Sequence, residues 1–158
     1  MDHLFAPNLA FRQNLVQKLE ALDPELIDIV PEGYNNNIRW HVAHLVVTPA
    51  LLTYRLAGVE IPLISQGFIE SAKKGSNHDD FSLNEDFGLP HLCELLIETV
   101  KQTQRDFEML QEQAFESYET SNGFILDNLT SALAFSNVHD GIHIGAINAM
   151  LRAIEIDA

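Results

Sequence analysis

The stretch Asp127–Ile154, DNLTSALAFSNVHDGIHIGAINAMLRAI, decides how this chain is read. Its apolar residues recur at three-to-four spacing, the period of an amphipathic helix. Within it lies His139-Asp140-Gly141-Ile142-His143, two histidines four residues apart. Four residues make about one helical turn, so both imidazoles leave the same face and are spaced to grip one metal ion. At about 100° per residue they share that face with Ser136, Ala146, Ile147, Met150 and Ile154, which points both into the core. A single inward histidine is ordinarily a neutral, hydrogen-bonded core residue. A pair one turn apart needs several polar partners, and a metal satisfies two nitrogens at once. Gly141 and Gly145 each cost roughly 1 kcal/mol against alanine inside a helix, so they predict the close approach of a neighbouring helix or ligand, unless packing alone requires them.

One helix offers only two of the ligands that a metal needs. A third is expected from Trp40-His41-Val42-Ala43-His44, in a helical segment from about Asn37 to Ala57. There Trp40, His44, Val47 and Leu51 line one face, with His41 about 60° to the side. His44 is the better third ligand. His41 is either a supporting group or an exposed residue, and its neighbour Arg39 favours exposure. Arg55, three turns beyond His44, suits a substrate carboxylate or an acidic neighbour, and the second is favoured in so acidic a chain.

Around these motifs the periodicity predicts four main helices. The first runs from about Pro7 to Leu22, with Phe11, Leu15, Leu19 and Leu22 inward, and stops at Asp23-Pro24. The second follows the turn-rich Gly33-Tyr34-Asn35-Asn36, is closed by Gly58, and should kink at Pro49. Val59–Gly88 shows no sustained period, and Ser65–Lys73 is its candidate short helix. The third runs from Leu89-Pro90 to about Gln113 with Leu92, Leu95, Leu96, Thr99, Thr103, Phe107 and Leu110 inward. The fourth starts after Ser121-Asn122-Gly123, capped by Asp127 or Asn128. No strand-like alternation of useful length is visible. The expected fold is all-α, an antiparallel four-helix bundle with a long crossover between helices 2 and 3, an architecture that builds metal sites from inward side chains.

At 158 residues and 46% apolar content, residues 1–158 are expected to form a single domain. A cytoplasmic protein is expected, since no run of eighteen apolar residues and no basic-then-apolar leader is present. Lone Cys93 reads as a small half-buried side chain, and Asn128-Leu129-Thr130 carries no meaning as a glycosylation triplet without a secretion signal. The net charge of −14 repels polyanions, so neither nucleic acid nor an anionic membrane is an expected partner. A small-molecule substrate is.

Asn36-Asn37-Ile38-Arg39-Trp40-His41-Val42-Ala43-His44-Leu45 resembles the helix-two pattern of the DinB/YfiT-like superfamily of four-helix bundles, a tryptophan followed four residues later by a metal histidine. His139-Asp140-Gly141-Ile142-His143-Ile144-Gly145-Ala146-Ile147 resembles its helix-four pattern of two histidines and then a glycine. The resemblance covers nearly the whole chain in helix order. It implies a metal triad of His44, His139 and His143, a divalent ion such as zinc or nickel, or iron in some branches, and frequent homodimerisation. It departs at Ala146, where the family often has glutamine, and that weakens any transfer of substrate contacts.

Three neutral nitrogens on a divalent ion leave a +2 charge and an open position. Such a site lowers the pKa of bound water, polarises a carbonyl, or holds a thiol as thiolate. The first two describe a hydrolase. The third describes a transferase using a low-molecular-weight thiol, and the resemblance favours it because related proteins include S-transferases and thiol-dependent isomerases. A non-catalytic metal-binding or stress-response bundle is the alternative from another class. No general base is evident, since Asp140 is turned about 100° from its ligand neighbour and reads as a solvated or ion-paired residue. Thr99, Thr103 and Ser136 are candidate pocket groups or simply bond their own helices.

Overall fold

A computed structural model describes residues 2–157, and three of its helices begin where the sequence places capping side chains. In chain order the elements are α1 (Asp2–Glu20), α2 (Ile38–Ala50), α3 (Gln66–Ala72), α4 (Leu89–Arg105), α5 (Phe107–Gln111), β1 (Tyr118–Glu119), β2 (Ile125–Leu126) and α6 (Leu129–Asp157). Asn37 caps α2 by accepting the Trp40 amide at 2.9 Å, Ser65 caps α3 through the Phe68 amide at 3.0 Å, and Asn128 accepts the Ser131 amide at 2.8 Å at the start of α6. The structure is mostly helical, as the periodicity predicts. The ribbon of β1 and β2 was not anticipated, since two paired residues per strand are too few for alternation to register.

Two helix ends differ from expectation for identifiable reasons. α1 begins at Asp2 and takes Pro7 inside it, because Phe5 is buried edge-on against Phe107 with ring centroids 6.0 Å apart and fixes the first turns. Pro49 does not end α2. Directly after it the helix widens into a π turn over Leu51–Arg55, and the Thr53 hydroxyl donates to the Pro49 carbonyl at 2.8 Å. Gly58, at φ +67°, then closes the segment, a conformation that glycine adopts without strain.

Four long helices pack side by side, α1 against α4 and α6, and α2 against the same two. Arg12 reaches the Leu96 carbonyl while Phe5 meets Phe107, so α1 and α4 run in opposite senses. Leu4 and Asn137, Asn8 and Asp140, and Lys18 and Asn148 are bonded in turn, so α1 and α6 run in the same sense. The long crossover between α2 and α4 permits this arrangement, because it returns the chain to the starting end before α4 begins. Leu15, Leu19, Leu45, Leu92, Leu96, Ile147 and Met150 fill the shared core.

One expected core residue, Phe11, is instead 59% exposed, and its neighbour Arg12 is fully buried. The inward stripe of α1 is Phe5, Asn8, Arg12, Leu15 and Leu19, because Asp140 on α6 supplies the charge that makes an inward arginine tolerable. Arg12 Nε donates to Asp140 Oδ2 at 2.6 Å, Nη1 to the Leu96 carbonyl at 2.9 Å and Nη2 to the Leu45 carbonyl at 2.5 Å, so one side chain ties together all four helices. No helix among the described residues is long and apolar enough to cross a membrane.

Candidate metal centre

α2 and α6 run in opposite senses, which sets His44 opposite His139 and His143. One ring nitrogen from each lies within 4.8 Å of the others. Ring centroids are 4.4 Å apart for His139 and His143, 4.8 Å for His44 and His143, and 5.1 Å for His44 and His139. The three sequence-selected histidines therefore form one compact triangle.

The surroundings fix the rings. His44 Nδ1 lies 2.7 Å from the carbonyl of Ala72, the last residue of α3. A carbonyl can only accept, so Nδ1 carries the hydrogen and Nε2 keeps its lone pair. Beside that Nε2, at 3.1 Å, is the Thr48 hydroxyl. Trp40 stacks on the His44 ring at 4.6 Å and an interplanar angle of 13°, and its indole N–H donates to Ser76 Oγ at 3.0 Å. The crossover thus holds one ligand candidate through a backbone oxygen and a tryptophan through a serine.

Electrostatics keep every ring in the cluster neutral at pH 7. Burial, then the neighbouring His44, lowers both His41 and His139 to about 4. His143 falls to about 2, through burial first and then His139, His44 and His41. His44 is lowered by burial, opposed in part by its Ala72 bond and the Asp140 charge. Neutral imidazoles are the form that binds metal. His139 Nδ1 is buried with no hydrogen-bond partner among the described residues. An orphaned buried nitrogen costs about 1–3 kcal/mol, and a cation bound at that nitrogen would remove the cost. The donor set is compatible with a divalent ion.

Several neighbours differ from expectation. His41 is not exposed: its Nδ1 lies 2.8 Å from His143 Nδ1, because its 60° offset on α2 turns it toward α6 rather than solvent. Asp140 is ion-paired but not solvated, being 2% exposed and held by Arg12 and by Asn8 Nδ2 at 2.9 Å. Nothing approaches Gly141 or Gly145 closely, since a Cβ on either would meet no atom within 4 Å. Arg55 bonds the neutral Gln66 at 3.3 Å rather than a carboxylate. Thr99, Thr103 and Ser136 donate to carbonyls of their own helices, the second of their two readings. They also help to line a cavity of about 30 Å³ beyond the Arg12–Asp140 pair, room for a water or two. Cys93 is buried, which pushes its thiol up to about 11 and leaves it inert.

Sequence reasoning missed the Ala72 carbonyl, Thr48 and Ser76. A backbone acceptor has no residue signature, and Ser76 lies 36 positions from the tryptophan it holds.

Helices that bring three histidines together in this way define a mostly helical protein with a cluster compatible with metal binding. The chain belongs to the DinB superfamily, whose family model matches residues 9–147 and so spans all three histidines. No curated protein matches the chain.

Proposed function

We propose that His44, His139 and His143 hold one divalent ion and that the protein is a metal-dependent enzyme acting on small molecules, a transferase using a low-molecular-weight thiol. The observation behind this reading is the triangle of neutral imidazoles, with its one nitrogen per ring inside 4.8 Å. Imidazole ligands suit zinc, nickel or iron. Such an ion, held by uncharged ligands, supplies a +2 charge that stabilises a thiolate at neutral pH. His44 is pre-oriented by Ala72, and Trp40 covers its ring.

The carboxylate next to the triad supports transfer over hydrolysis in this reading. Asp140 is occupied by Arg12 and Asn8, so it is not free to take a proton from water. A thiol, with a free pKa near 8.5, ionises at a divalent ion without a base to help it. In the proposed reaction the thiol proton goes to solvent, sulfur forms a bond to an electrophilic carbon, and the leaving group departs with its electron pair. The protein's task is to orient and to exclude water.

Metal analysis of protein purified without chelator or affinity tag should find about one divalent ion per chain. His143→Ala should lose the ion and keep its helical circular dichroism. If the unsubstituted protein holds no ion and rebinds none, the reading is wrong. A conjugation screen with several thiols then tests the transferase, and turnover of esters or amides without any thiol would favour hydrolysis instead.

A further inference from the structure

The Nδ1 atoms of His41 and His143 lie 2.8 Å apart, and that distance constrains where the hydrogens are. Two bare lone pairs do not rest so close, so one nitrogen carries a hydrogen and the other accepts it. Were His41 the donor, the neutral His143 ring would carry its own hydrogen on Nε2 and spend its Nδ1 lone pair on His41, leaving nothing for a metal. Were His143 the donor, its Nε2 lone pair is free. Nor do the two nitrogens look like ligands of one ion, since nitrogens bound at about 2.0–2.1 Å to a tetrahedral centre sit roughly 3.3 Å apart.

The same device holds His44, whose Nδ1–H is anchored on the Ala72 carbonyl. Metal-bound histidines characteristically donate their second N–H to a fixed acceptor that sets tautomer and ring orientation. His41 is itself fixed, its ring set edge-on against Trp40 with centroids 5.3 Å apart. Resting on the metal-binding reading above, we propose that His41 is the positioning residue of the centre, accepting the His143 Nδ1–H and holding that imidazole with Nε2 toward the ion.

The test compares His41→Asn with His41→Leu. Their shapes are nearly the same, but only asparagine places an acceptor oxygen where the imidazole Nδ1 was. Zinc affinity, measured in competition with a chromophoric chelator, should fall about 10–100-fold in the leucine variant and return to within about threefold of the parent in the asparagine variant. Metal-free circular dichroism should be unchanged in both. On unsubstituted zinc-loaded protein, a nitrogen–nitrogen scalar coupling should link His143 Nδ1 to His41 Nδ1, a signal that needs no variant. Full zinc affinity in the leucine variant, failure of asparagine to rescue it, or absence of that coupling each overturns the positioning role. Loss of one imidazole from the cobalt(II) spectrum of the leucine variant overturns it too, by making His41 a ligand. If the unsubstituted protein fails to bind zinc, the metal reading falls as well, and that failure is distinguished by appearing before any substitution.

Discussion

Toward the beginning of α2, four imidazoles lie against one another, and one of their buried nitrogens, His139 Nδ1, has no partner among the described residues. Toward the other end of the same helix the core is polar too. There Thr53, Thr99, Thr103 and Ser136 are buried or half-buried, yet each hydroxyl donates to the carbonyl four residues back in its own helix, at 2.7–2.9 Å. Between the two regions stands the Arg12–Asp140 pair. The contrast separates polar burial that is satisfied locally, and needs no ligand, from polar burial whose groups lean on each other and on the crossover. The second kind marks a site.

Breaking the partition between the regions should have the largest effect. Arg12→Met or Asp140→Asn alone leaves a buried group stripped of its partner, and should lower stability by roughly 3–5 kcal/mol in urea titration. The double variant Arg12→Met with Asp140→Leu should recover most of that loss. If the single variants cost no more than the double, the pair does not hold the helices as described.

Acid should distinguish the two regions next. The folded values of His41 and His139 are lowered to about 4, and that of His143 to about 2, against about 6.5 in the unfolded chain. Below 6.5 the unfolded chain binds protons that the folded cluster refuses, so this contribution is intact above 6.5 and is lost as pH falls through about 4 for His41 and His139 and on toward about 2 for His143. The urea midpoint of metal-free protein should drop across that window, and by less in His143→Gln. Equal slopes in the two proteins would contradict the neutral, buried cluster.

The hydroxyl region should respond weakly. Thr103→Val and Ser136→Ala each remove a bond within one helix, so stability should change by about 1 kcal/mol or less and zinc affinity not at all. A loss of zinc in either variant would merge the two regions into one site. The smallest effect should be a gain: Gly141→Ala or Gly145→Ala fills open space and adds helix propensity, raising stability by up to about 1 kcal/mol each, measurable as a higher melting temperature.

The histidine cluster was legible because spacing on a helix face is a local property, and Asn37 and Gly58 marked the ends of the helical segment that runs through α2 and the π turn for the same reason. Phe11 misled because the register of α1 is set by Arg12, whose inward position depends on Asp140, 128 residues away. His41 was misread because a 60° offset has no meaning until the direction of α6 is known. Gly141 and Gly145 carried a real local cost, but the sequence could not say which side of the helix would be left open. The Ala72 carbonyl lies in the segment without periodicity, and any residue type could have supplied it.

Trp40 is the chain's one tryptophan, and it lies flat against His44. The centre therefore has its own optical reporter. Cobalt or nickel bound among the histidines should quench the indole emission, whereas zinc, with its filled d shell, should mainly shift it. Occupancy, exchange and chelation would then be followed in real time without a label, by a ring that already rests on His44.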